Sequence, residues 1–313
     1  IAAGGGGIRA SVRMFRNANS VELADQAALR LQAMTLTGTT TVEIKSGYGL
    51  SVEAELKALA IIDELDGQVP LRILPTFMGA HEIPDEYRSD RTAYIDLVVN
   101  EMLPVVQAQG IARYCDVFCE TGVFTTEEAE RILTAGQEYG LRAKIHSDEF
   151  DAIGGTEMAA TIGALSADHL AAVTPSGIKA LAGSQTVAVL LPGTTVFLGK
   201  EKHAPARDLL DAGATVAIAT DFNPGSSTFM SLPMMTTFAC SQLHMHPAEA
   251  MQAVTANSAH ALGFSEQIGH LKQGMASDFV LWDADDYRMI PYAAGHPLVI
   301  MSVVGGEILS FDY

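Results

Sequence analysis

Cysteine is scarce in this sequence, with Cys115, Cys119 and Cys240 the only three in 313 residues. So odd and sparse a set excludes a disulfide-stapled scaffold and fits a reducing, cytoplasmic setting. Cys115 and Cys119 fall in an apolar run, where buried thiols are expected rather than metal ligands. Basic residues are scarce too: 19 Lys and Arg stand against 37 Asp and Glu, for a formal net charge of −18. Without a Lys/Arg cluster nothing neutralises a phosphate backbone, which excludes nucleic acid as a partner. Long hydrophobic runs are missing as well. The most apolar stretch, residues 186–198, is interrupted by Pro192, Gly193, Thr194 and Thr195, so no segment supplies the ~20 apolar residues of a membrane span. No internal repeat or low-complexity linker is present, and Gly4 to Gly7 do not form a phosphate-binding G-x-G-x-x-G after a strand. The chain opens at Ile1 rather than Met, without a signal-peptide pattern; a processed product or a fragment is expected.

Apolar residues are plentiful, 48% of the chain and spread along its whole length, which predicts a packed globular core. Short β-rich runs at 39–45, 71–77, 114–119, 141–146, 164–169, 186–191 and 214–221 predict seven strands. Amphipathic segments at 20–34, 51–65, 91–109, 125–139 and 205–212 alternate with them. Thr125 followed by Glu128 is a capping-box pattern, and Thr174 before Pro175 marks another helix start. Such alternation implies parallel strands with crossover helices, in an open sheet or a closed barrel. Seven strands suit neither tidily; an eight-stranded (β/α)8 TIM barrel lacking its first strand gives this count. After the last strand come helical segments at 232–243 and 247–262, then a β-rich tail with glycine turns. The expected division is a catalytic barrel over residues 1–265 and a small β-domain over 266–313.

In a parallel barrel the strand C-terminal ends build the active site, and polar residues cluster there. Lys45 and Tyr48 follow the first strand, His81 the second, Glu120 the third, His146 and Glu149 the fourth; His169 and Asp221 end the fifth and the last. His146 suits a first-row metal or a hydrogen-bonded rim position, and Glu149 reaches the same cavity without ligating. Asp221, at the end of an apolar strand, is costly to bury unless it binds a cation or several donors, and a ligand is favoured. His169 orients or protonates a substrate, with Asp168 as its partner, or belongs to a structural Asp–His pair. His244 and His246 have a metal-pair spacing but precede Pro247 at a helix end, where a surface position is favoured. Met230, Met234 and Met235 read as core or pocket wall.

Five strings, in order at strand ends, carry a resemblance: Glu43-Ile44-Lys45-Ser46-Gly47-Tyr48-Gly49-Leu50, Phe77-Met78-Gly79-Ala80-His81, His146-Ser147-Asp148-Glu149-Phe150, Ala167-Asp168-His169-Leu170 and Thr220-Asp221-Phe222-Asn223-Pro224-Gly225-Ser226. Together the chain resembles the imidazolonepropionase family of the amidohydrolase superfamily. The resemblance implies a metal-dependent α/β TIM barrel with a composite β-sandwich, and hydrolysis of 4-imidazolone-5-propanoate to N-formimidoyl-L-glutamate in histidine degradation. It implies one zinc or iron ion, held by a first-strand His-x-His pair, a histidine mapping to His146 and an aspartate mapping to Asp221. The only His-x-His here is His244-Met245-His246, in the wrong element, so about a hundred residues, judged against a barrel with a complete sandwich, are expected to precede Ile1. Glu149, His169 and Asp221 take catalytic positions by this resemblance, and Tyr48, His81, Glu149, Asn223, Gly225 and Ser226 contact substrate or product. Ser226 stands where the family usually has threonine. A cytoplasmic homodimer is expected by analogy. The alternatives are a relative that deaminates a heterocyclic base, or a catalytically incomplete fragment.

Overall fold

A computed structural model describes residues 7–310. Residues 1–6, with most of the glycine-rich opening, lie outside the described residues. Two helices, α1 (Ile8–Asn17) and α2 (Ser20–Leu36), precede seven parallel strands hydrogen-bonded in chain order: β1 (Thr41–Lys45), β2 (Arg72–Ala80), β3 (Tyr114–Cys119), β4 (Arg142–Ser147), β5 (Ser166–His169), β6 (Val187–Leu190) and β7 (Val216–Ile218). The crossovers carry α3 (Val52–Leu65), then α4 (Arg91–Leu97) and α5 (Leu103–Gln109) joined through a π-turn at Val98–Met102, then α6 (Thr126–Glu138), α7 (Gly155–Ile162), α8 (Pro175–Ala182), α9 (Pro192–Phe197) and α10 (Ala206–Asp211). Beyond β7 lie α11 (Leu232–Ser241), α12 (Pro247–Ala253) and α13 (Ala256–Ala261). A second, antiparallel sheet holds β8 (Phe279–Trp282), β9 (Val299–Val304) and β10 (Glu307–Ser310), with α14 (Met289–Tyr292) between its first two strands.

The seven-stranded sheet is curled, and two side chains demonstrate it. Strands lie ~4.8 Å apart, so β1 and β5 of a flat sheet would be separated by roughly 19 Å. Yet Lys45 Nζ on β1 reaches Asp168 on β5 at 3.7 Å, and Lys144 Nζ on β4 reaches Glu43 on β1 at 3.1 Å. These residues line the concave face; the intervening positions face the helices. On β6, for example, Ala188 and Leu190 join the large helix-covered core, whereas Val187 and Val189 pack with Ala217 and Ala261 in a separate cluster. α13 sits against this second cluster: Tyr114 OH and Lys144 Nζ on the sheet donate to the carbonyls of Leu262 and Ala261.

The seven predicted strands are all present, with shifted ends. β2 runs three residues further than expected, through Met78-Gly79-Ala80, and β7 stops at Ile218. Asp221 therefore lies in the loop beyond the strand rather than at its end. Residues 247–262, read as one helix, form two. Side chains at the break compete with the helix for backbone groups: Thr255 donates to the Met251 carbonyl, Ser258 to that of Ala253, and Asn257 to that of Val216 on β7. The apolar stretch at 186–198 divides into β6 and α9, because Pro192 at the first helical turn starts a helix there. The capping box forms as read, with Thr125 Oγ1 accepting from Glu128 N and Thr125 N donating to the Glu128 carboxylate. The small sheet docks against α2 and the start of β2: Ser302 donates to the Thr35 carbonyl, Arg72 on β2 pairs with Asp278, whose side chain is buried, and Trp282 packs at Gly38 just beyond α2.

Candidate metal centre and active site

At the C-terminal rim of the sheet three side chains converge. His146 lies near the end of β4, His169 ends β5, and Asp221 follows β7; one ligand atom from each lies within 4.8 Å of the others. The backbone is strained to achieve this. Alternation along β5 would turn His169 away from the face that carries Asp168, but a φ of 80° returns its ring to 5.1 Å from that of His146. Asp221 has a φ of 50°, and Leu50, Asp148 and Leu170 in the neighbouring loops are also left-handed. Each such non-glycine residue costs on the order of 1 kcal/mol, which the surrounding structure must offset.

The donor set fits a first-row divalent metal: two imidazole nitrogens and one carboxylate in a largely buried site. His146 Nδ1 is engaged by Asp116 Oδ1 at 3.0 Å, which leaves Nε2 as the nitrogen open to a ligand. Thr194 Oγ1 donates to Asp221 Oδ2 at 2.6 Å and fixes that carboxylate. Although burial opposes a charge on His146, the Asp116 carboxylate raises its pKa to about 9. Asp116 itself is held well below the usual carboxylate range, the effect of burial being overcome by His146 and Lys45.

Glu149 stands beside this centre, with Oε2 at 3.7 Å from His169 Nε2 and Oε1 at 3.6 Å from Lys200 Nζ. These groups line a cavity together with Thr194, Thr195 and Leu243. On the other side Tyr48 meets His81 edge-on at 5.2 Å, and Phe118 lies between His81 and His146. His81 Nδ1 contacts the Gly47 carbonyl at 2.9 Å. A carbonyl only accepts, so Nδ1 carries the proton. Burial lowers the His81 pKa to about 4, which makes the ring neutral near pH 7 with Nε2 free to accept. Burial and the Asp221 charge push the Tyr48 phenol up.

Asn223 and Ser226 organise the loop beyond Asp221. Asn223 Oδ1 accepts from the Gly225 and Ser226 amides, and its Nδ2 donates to the Asp221 carbonyl; Gly225 is exposed. Several expectations are corrected here. Glu120 does not face the cavity; its carboxylate accepts from the amides of Thr121, Phe150 and Asp151 and pins two loops together. Lys45 lies beneath the rim, bonded to Glu43 and Asp116. Asp168 is not the partner of His169, since strand alternation points it to Ser166 and Lys45. The Asp–His pair that does form joins Asp116 to His146. Sequence reading passed over Asp116, although a lone carboxylate inside the apolar Tyr114–Cys119 strand carries the same desolvation signal that drew attention to Asp221. His244 and His246 are exposed between α11 and α12, as expected, and Cys115 and Cys119 are buried free thiols. Met235 is fully buried, with Met230 and Met234 packed against the same core.

Residues 7–310 match the amidohydrolase family. Among curated relatives, the imidazolonepropionase of Solibacter usitatus is 48% identical over 295 residues, covering 94% of this chain and 71% of that protein. That of Geobacillus kaustophilus is 46% identical over 308 residues, covering 98% and 72%. That of Bacteroides fragilis is 45% identical over 306 residues, covering 97% and 73%. Among solved structures, Escherichia coli guanine deaminase superposes with a TM-score of 0.74 at 13% identity, covering 96% of this chain and 78% of that one. A mutant atrazine chlorohydrolase from Arthrobacter aurescens, complexed with zinc and atraton, gives a TM-score of 0.74 at 18% identity, covering 93% and 73%.

Proposed function

The chain belongs to the amidohydrolase family, among the imidazolonepropionases, and from that premise we propose that it hydrolyses 4-imidazolone-5-propanoate to N-formimidoyl-L-glutamate in histidine degradation. The observation that carries the reading is the meeting of His146, His169 and Asp221 within 4.8 Å on the rim where Glu149 also stands. His146 and Asp221 would hold one divalent ion, zinc or iron, with His169 beside them. When bound, such an ion polarises a carbonyl and lowers the pKa of water toward ~7.

The chain's own residues then divide the work. The oxygen of water bonds to the ring carbonyl carbon, the ring C–N bond breaks, and one water proton ends on the departing nitrogen. Glu149, next to His169, takes the proton from the attacking water. His169 stabilises the developing oxyanion, delivers a proton to the nitrogen and is reprotonated by Glu149, 3.7 Å away. Tyr48, His81, Asn223, Gly225 and Ser226 bind the ring and its propionate. Neutral His81 presents Nε2 as an acceptor, which suits a ring N–H. We place this chemistry in residues 1–265 and the accessory sheet in 266–313, in a cytoplasmic homodimer.

Turnover is followed by loss of the imidazolone ring absorbance, alongside metal content of the purified chain. Ring opening that stops on metal removal and in Glu149→Gln is expected. Release of ammonia from guanine or cytosine without imidazolone turnover would overturn the assignment.

A further inference from the structure

Beneath the proposed centre lies a second set of three metal-capable side chains, Asp116, His146 and Asp168, whose ligand atoms also fall within 4.8 Å of one another. All three are buried, with exposures of 0, 8 and 5%. Two carboxylates in such a place require a cation, and one is there. Lys45 Nζ lies 2.6 Å from Asp116 Oδ2, 3.7 Å from Asp168 Oδ2 and 2.6 Å from Glu43 Oε1. It thus has carboxylates from three strands around it, the oxygen-rich surroundings that hard divalent ions prefer.

The remaining atoms of this cluster are committed elsewhere, which keeps the carboxylates in place. Glu43 Oε2 meets Lys144 at 3.1 Å, and its Oε1 accepts from Thr76. Asp168 Oδ1 accepts from Ser166, and Asp116 Oδ1 holds His146 Nδ1. Asp116 therefore spends one oxygen on Lys45 and the other on the histidine. Its carboxylate plane, and with it the His146 ring, is set by where the ammonium sits.

We propose that the Lys45 ammonium occupies the position of a second metal ion among Glu43, Asp116 and Asp168, restricts the centre to a single ion, and positions His146 through Asp116. An ammonium on a side chain cannot dissociate, and its charge repels a divalent cation. Lys45 is a positioning residue in this account and touches no substrate. The inference rests on the proposed metal centre only where it assigns His146 a ligand role; the count of ions at Lys45 is independent of that role.

The test is metal stoichiometry, not activity. Wild type, Lys45→Ala and Lys45→Arg are dialysed against Mn2+, and bound metal is counted by elemental analysis and Mn2+ electron paramagnetic resonance. Lys45→Ala is expected to hold one more equivalent than wild type, and Lys45→Arg, which restores a tethered cation, the wild-type number. Adding Asp168→Asn to Lys45→Ala should abolish the gain. Equal stoichiometry in wild type and Lys45→Ala overturns the proposal. If Lys45→Ala folds only with Mn2+, the proposal stands; if it refolds neither with nor without millimolar Mn2+, the proposal fails, because a position built for a cation must accept one. A wild type that binds no metal would refute the proposed centre, while the difference between wild type and Lys45→Ala would still decide the role of Lys45.

Discussion

Single side chains in this protein act through the partners that aim them. Asp116 is the clearest case, because it fixes which nitrogen of His146 is left for a metal. Asp116→Asn keeps the shape but loses the charge, and should weaken metal binding by about 10–100-fold, the usual effect of removing such a partner. Competition with a chromophoric chelator measures it. His81 makes a pH prediction. Its pKa falls from 6.5 to about 4 in the folded chain through burial, with the Gly47 carbonyl, Asp116 and Asp221 opposing and His146 reinforcing that fall. Between those values the unfolded chain binds a proton that the folded chain does not, so this contribution to stability is complete above about pH 6.5 and diminishes as pH falls toward about 4. His81→Gln should remove that part of the pH dependence, narrowing the difference between thermal midpoints at about pH 7 and about pH 5. An unchanged difference would mean that His81 is not the group responsible.

At the scale of elements, the loop between β1 and α3 shows how a local fold presents a site residue. Glu55, fully buried in the first turns of α3, accepts from the amides of Gly47, Gly49 and Leu50. Gly49 is required for another reason: a Cβ there would lie 2.5 Å from the Ala54 carbonyl carbon. Tyr48 stands between these two glycines. Glu55→Gln replaces one acceptor oxygen with a donor facing backbone N–H groups, and should cost about 2 kcal/mol of stability. KM should rise more than kcat falls, because Tyr48 is displaced while Glu149 and His169 are untouched. Denaturant melts and steady-state kinetics check both. The strands were legible because their apolar runs are short and bounded, and the 125–128 capping box because its chemistry is local. Helix α9 and the break between α12 and α13 were not, since Pro192 sits inside an apolar stretch and Asn257, in the first turn of α13, bonds to a distant strand.

The whole molecule carries −18 formal charges and is proposed to bind an anion. Repulsion slows that encounter. Raising ionic strength from ~0.01 to ~0.15 M shortens the screening length from about 30 to about 8 Å, so kcat/KM for imidazolone propanoate should increase with salt while kcat changes little. A decrease would point to a local attractive field that outweighs the global one. The sequence alone determined the strand–helix alternation, the rim positions of His81, His146, Glu149 and His169, and the family, because strand periodicity and short motifs are properties of neighbouring residues. Only tertiary structure decided how Lys45, Asp116 and Asp168 are used. They lie 71 and 52 residues apart along the chain and meet only because the sheet curls, closing a gap of roughly 19 Å between strands. Burial then makes an unpaired charge too costly to leave, and it is that cost which ties the three together.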